Sequence, residues 1–74
     1  MQYEDKIVSQ LKKLGAGIRR ARMARGMTQA KLAELVDLNI RTIQKIEAGH
    51  INMLVTTAMR IQKALNCPWE DLLG

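Results

Sequence analysis

Arg41, Gln44 and Lys45 are the residues of this 74-residue chain whose types and spacing best suit a chemical task. Set on a helix at about 100° per residue, all three fall within about 50° of the direction opposite Ile43 and Ile46. A guanidinium, an amide and an ammonium then face outward together, and two isoleucines face the core. That outward set matches the edges of base pairs. Arg or Lys donates to guanine O6 and N7, Gln bonds adenine bidentately, and the DNA major groove admits a helix that carries them. Ile40 sits about 90° from the core direction, open either to a thymine methyl or to covering the core's edge. Thr42 lies nearer the core side, which suits packing or a phosphate bond better than base reading.

Catalysis has little to work with. One His, one Cys and seven carboxylates, with Glu4-Asp5 and Glu70-Asp71 both at helix starts, make no nucleophile–base pair and no metal cluster. Gly15 and Gly17 follow no strand, so they form no phosphate-cradling loop. The expectation is a protein that is not an enzyme, with no cofactor, no metal and no small-molecule site. Cys67 alone allows no internal disulfide, which fits a reducing cytoplasm, and no apolar run approaches the roughly 20 residues of a membrane span. The acidic, charged N-terminus does not read as a signal peptide. A cytoplasmic, nucleoid-associated protein is expected.

The net charge of +5 favours a polyanionic partner, and its distribution is informative. Residues 1–50 hold ten Lys/Arg against five Asp/Glu, whereas residues 51–74 hold two of each. The basic half is therefore the half that contains Arg41, Gln44 and Lys45. Between Lys12 and Arg25 there are six cations and no carboxylate. Beside a base-reading helix, such a run favours phosphate contact over a merely solvated face.

The elements that must position these groups are helical. With 47% hydrophobic residues but only Tyr3 and Trp69 as aromatics, the core has to be built from Leu, Ile, Val, Met and Ala, which suits a small all-α bundle. Thr28 caps a helix whose apolar stripe is Leu32, Ala33 and Val36; Asp37, Leu38 and Asn39 break the pattern, and Asn39 caps the helix spanning 40–48. Upstream, Ile7, Leu11, Leu14, Ile18 and Ala21 form a helical stripe through Gly15 and Gly17. Each glycine costs about 1 kcal/mol relative to Ala, so a break there is open. Gly26 ends that helix. Downstream, Asn52 is the expected cap of a fourth helix with Val55, Ala58, Met59, Ile61, Ala64 and Leu65 inward. Asn66 ends it. Cys67-Pro68 leads to a short fifth helix, with Trp69, Leu72 and Leu73 as an apolar lid and Cys67 as a structural residue.

From Gly15 to Leu73 the chain resembles the Xre and phage repressor/Cro class of helix-turn-helix domains. The positions this class keeps apolar hold Leu32, Val36, Leu38, Ile43 and Ile46, its small packing residue is Ala33, Thr28-Gln29 opens the first motif helix, and Glu47-Ala48-Gly49 closes the second. The turn position that usually holds Gly is Asp37 here, tolerable because Asp also visits the left-handed region. The resemblance implies a five-helix, lambda-repressor-like bundle over residues 14–74, with residues 1–13 as an extension that lengthens the first helix, packs on a second subunit or frays. It implies an ion pair between Arg22 and Glu47, and a Gln29 that contacts the DNA backbone and braces the reading helix. Relatives often place extra cations after the second motif helix. Here that loop, His50-Ile51-Asn52, has none, which leaves His50, Asn52 and backbone N–H groups for phosphate.

These readings converge on a sequence-specific double-stranded DNA-binding regulator, a repressor or autoregulator acting as a homodimer. Base readout falls to Ile40, Arg41, Gln44 and Lys45, and phosphate contact to Lys12, Arg19, Thr28, Gln29, Thr42, His50 and Asn52. A stand-alone controller of a phage or restriction system is one form of this. The alternative is an antitoxin-like or coactivator-like module that uses the same fold to bind a protein.

Overall fold

The apolar stripe of the N-terminal segment carries a single uninterrupted helix, α1 (Tyr3–Ala24), followed by α2 (Gln29–Val36), α3 (Ile40–Glu47), α4 (Val55–Leu65) and α5 (Trp69–Leu73). The computed structural model describes residues 3–73; Met1 and Gln2 of the extension, the side chains of Tyr3 and Glu4, and Gly74 lie outside the described residues. Neither glycine breaks α1, because each marks a place where two backbones touch. A β-carbon on Gly15 would overlap the carbonyl oxygens of Ile46 and Glu47 at the end of α3, and one on Gly17 would overlap the carbonyl of Leu72 in α5. The helix propensity lost at these positions is offset by the packing that the missing side chains allow.

α1 packs on α5, α3 and α4, and α2 packs on α3 and α4. Ile18, Leu32, Ile43, Ile46, Ile61, Leu65 and Leu72 are fully enclosed, with Ala21, Ala33, Val36 and Cys67 filling between them. Each large aliphatic side chain buried in this way contributes on the order of 1.5–3 kcal/mol. Ala33 lies in the α2–α3 corner, where a larger side chain would push the two helices apart.

Local chemistry sets the turns that orient α3. Gly26, at φ +63°, closes α1, and the Thr28 hydroxyl accepts the Lys31 N–H at 3.0 Å to open α2. Asp37 adopts the left-handed conformation (φ 57°), and the Leu38 N–H reaches back to the Ala33 carbonyl at 2.9 Å, completing a C-cap without glycine. The Asn39 side chain accepts the Arg41 N–H at 2.8 Å, so α3 starts on a well-made cap.

Three expectations fail toward the C-terminus. Asn52 does not cap α4: Ile51 and Met53 pack inward on either side of it, Asn52 is exposed, and the cap position falls on Leu54, which has no side-chain cap bond. Val55 and Met59 are not core residues but are 75% and 51% exposed. Ile61 and Leu65 define the buried face of α4, from which Val55 and Met59 lie about 100° and 140° away. Trp69 and Leu73 are not the lid either, at 38% and 56% exposed, because Leu72 and Cys67 already fill the space beneath α5. Asn66 ends α4 in the left-handed conformation, and the Gln62 side-chain amide donates to the Cys67 carbonyl and secures the turn.

Candidate nucleic-acid interface

The reading face of α3 is built from its own short sequence. Ile43 and Ile46 are sealed in the core, which forces Arg41, Gln44 and Lys45 onto the solvent side, where all three are exposed. Ile40, the first residue of the helix, is 40% exposed at the edge of this face, and Thr42 is half-buried.

A polar clamp fixes the far end of α3. Arg22 Nε donates to Glu47 Oε2 at 2.6 Å and Arg22 Nη2 donates to Glu47 Oε1 at 3.0 Å, the two-pronged geometry that a guanidinium offers a carboxylate. Gln29 Nε2 donates to Glu47 Oε1 at 3.1 Å, and the remaining Arg22 nitrogen, Nη1, donates to the Met27 carbonyl at 2.8 Å. The Glu47 side chain is only 4% exposed. Its charge is therefore compensated by three donors from two other elements, and among the described residues no buried side-chain polar atom lacks a partner. The network joins α1, the α1–α2 turn, the first residue of α2 and the last of α3, so the clamp sets the angle at which the reading face is presented.

Around the clamp lies an open groove lined by Arg19, Thr28, Gln29 and Gln44, floored by Arg22 and Glu47. Thr28 and Gln29, the cap and first residue of α2, line this groove, which places the positive end of the helix dipole beside it. Lys12 lies further along α1, against Gly49. The six cations between Lys12 and Arg25 do not act as one patch. Arg22 is consumed by Glu47; Arg20 leans on the Asp71 carbonyl at 3.5 Å, and Arg25 donates to the carbonyls of Ala21 at 2.9 Å and Asn66 at 3.3 Å, away from α3. Lys13 borders the groove between α1 and Leu73, together with Asn52. His50 is exposed in the α3–α4 loop.

Sequence reasoning missed the part that two glycines play in this site. Gly15 lets α1 touch the last turn of α3, and Gly49, at φ +75°, combines a left-handed turn with contact to the Lys12 backbone. The available signal was a pair of glycines inside an otherwise continuous helical stripe, a pattern that marks backbone contact as readily as a break. Among the described residues no group of three or more His, Cys, Asp and Glu converges, and no helix is long and apolar enough to cross a membrane.

A helical bundle that holds a polar helix face outward on a capped two-helix corner has the architecture of a helix-turn-helix domain. The family model described as Helix-turn-helix matches residues 18–72, and the chain belongs to that family, of the Xre and lambda-repressor type. Among solved structures it is similar to the restriction-modification controller protein C.AhdI from Aeromonas hydrophila, with 28% sequence identity and a TM-score of 0.80 over 86% of this chain and 97% of that one. No curated protein matches the sequence. Family and neighbour together make this chain a DNA-binding transcriptional regulator.

Proposed function

We propose that this regulator binds double-stranded DNA sequence-specifically, with α3 in the major groove, as a twofold homodimer on an inverted repeat, and acts in the cytoplasm as a repressor or autoregulator. The observation that carries the reading is the exposed Arg41–Gln44–Lys45 face on a helix locked by Arg22, Glu47 and Gln29. Arg41, Gln44 and Lys45 contact base edges, with Ile40 beside them. Thr28, Gln29, Arg19 and Lys12 hold phosphates and set the register, with Thr42, His50 and Asn52 as further backbone contacts. The Gln29 amide can serve both tasks, since its donation to Glu47 uses only one of its N–H groups. The likeness to C.AhdI favours control of a restriction–modification system as the biological setting.

The test is selection of bound sequences from a random duplex pool, followed by fluorescence anisotropy at about 50 and 200 mM salt. An inverted repeat with half-sites about 34 Å apart is expected. Arg41→Ala should lower affinity for it by about 1–3 kcal/mol and relax preference at one position. Equal losses on selected and random duplexes would remove Arg41 from base readout. Salt-sensitive binding without an enriched sequence would leave only a basic surface.

A further inference from the structure

The Gly49–Leu54 segment leads away from the C-terminal end of α3 and contains no Lys or Arg, so the end of the reading helix has no cation from its own loop. That end also carries the negative pole of the α3 dipole, which disfavours an approaching phosphate. A cation arrives there from another element. A β-carbon on Gly49 would fall 2.7 Å from the Lys12 α-carbon and 2.8 Å from its γ-carbon, so α1 and the lysine stem lie directly on the residue that closes α3. Lys12 is exposed and makes no ion pair among the described residues. Arg19 is seven residues further along α1, about two turns and roughly 10 Å on the same face, and lines the groove beside Gln29, Gln44 and Ala48.

We propose that Lys12, a residue outside the matched helix-turn-helix region, grips the DNA backbone at the C-terminal end of the reading helix and supplies the positive charge that the α3–α4 loop lacks. The start of α2, Arg19 and Lys12 then form a continuous row of phosphate donors along one flank of α3. The N-terminal part of α1 belongs to the DNA interface, and Gly49 is glycine partly because Lys12 needs its space. This inference rests on the DNA-binding reading above and gives the Lys12 contact named there its place, at the C-terminal end of α3, and its reason.

The experiment uses the full chain and the selected duplex, with single phosphates replaced in turn by uncharged methylphosphonates. Wild-type protein should lose affinity at each gripped phosphate. Lys12→Ala should become insensitive at one position in each half-site only, bind about tenfold more weakly, and show a salt slope shallower by about 1.8, two contacts per dimer. Lys12→Arg should restore the sensitivity. Arg20→Ala, which removes an equal charge from the side of α1 that faces α5, should behave as wild type, and circular dichroism should show all variants folded. If Lys12→Ala keeps the full methylphosphonate pattern, or if Arg20→Ala has the same effect, the assignment fails. If selection enriches no sequence, base reading fails separately. The salt slope on a random duplex then decides for Lys12, with an unchanged slope in Lys12→Ala overturning it.

Discussion

The Arg22–Glu47 pair is worth more as a positioning device than as a source of net stability. Both charges had to leave water, and their attraction at 2.6 Å largely repays that desolvation instead of exceeding it. Breaking the pair is a different matter, because Arg22→Met leaves the Glu47 carboxylate enclosed with Gln29 as its single remaining donor. A domain of 74 residues has on the order of 4–11 kcal/mol of stability in total. Urea unfolding followed by circular dichroism should show Arg22→Met losing about 3–5 kcal/mol. The double change Arg22→Met with Glu47→Leu should recover more than half of that, since no uncompensated charge remains. Its DNA binding should still be impaired, because Gln29 and the end of α3 have lost the group that ties them together. If the double variant is no more stable than Arg22→Met, the cost lies in packing and not in the stranded charge.

Between elements, the decisive contacts are made by residues with no side chain. Alanine is the better helix former by about 1 kcal/mol, so propensity alone has Gly15→Ala stabilising α1. The structure reverses the sign, because the new methyl group would meet the Ile46 and Glu47 carbonyls and force α1 and α3 apart. A net loss of about 1–2 kcal/mol in chemical denaturation is expected, with weaker specific DNA binding as the reading helix shifts. A gain in stability would mean that α1 and α3 are not in contact there. The same positions show what was legible in the sequence. Thr28, Asp37 and Asn39 act through their own backbone neighbourhood, and the α2–turn–α3 corner follows from them and from the Ile43–Ile46 period. The exposed Arg41, Gln44 and Lys45 follow from the same local geometry. Contacts set by tertiary packing were not legible in the residue pattern itself, and the Arg22–Glu47 pair was foreseen only through the family resemblance. Asn52 looks like a cap but is held outward between Ile51 and Met53, and Trp69 looks like core until Leu72 and Cys67 have filled the space. The different directions taken by Arg19, Arg20 and Arg25 likewise depend on where α5 lies.

At the scale of the whole molecule, the basic side and the apolar side are separate. Lys12, Arg19, Arg41 and Lys45 lie on or beside α3, while the electrically balanced C-terminal segment exposes Val55, Met59 and Trp69, with Met59 and Trp69 lining one shallow groove. A single reading helix contacts a few base pairs, too few for the affinity of a specific regulator, and linking two copies multiplies affinity by about 10²–10⁴ when both half-sites are engaged. An isologous contact needs a self-complementary patch away from the DNA, which the α4–α5 edge offers and the α3 side does not. Met59→Glu places a charge at the centre of that patch and touches neither the core nor the reading face. In sedimentation at tens of micromolar the wild-type chain should run as a dimer and Met59→Glu as a monomer with unchanged helicity. On the selected inverted repeat the variant should bind about a hundredfold more weakly, yet match wild type on an isolated half-site, since α3 and its clamp are intact. A variant that still sediments as a dimer would move the interface elsewhere, leaving the N-terminal part of α1 as the next surface to charge. A wild-type chain that stays monomeric even on the repeat would remove the dimer altogether, and the phosphate row along α1 would then have to supply the affinity by itself.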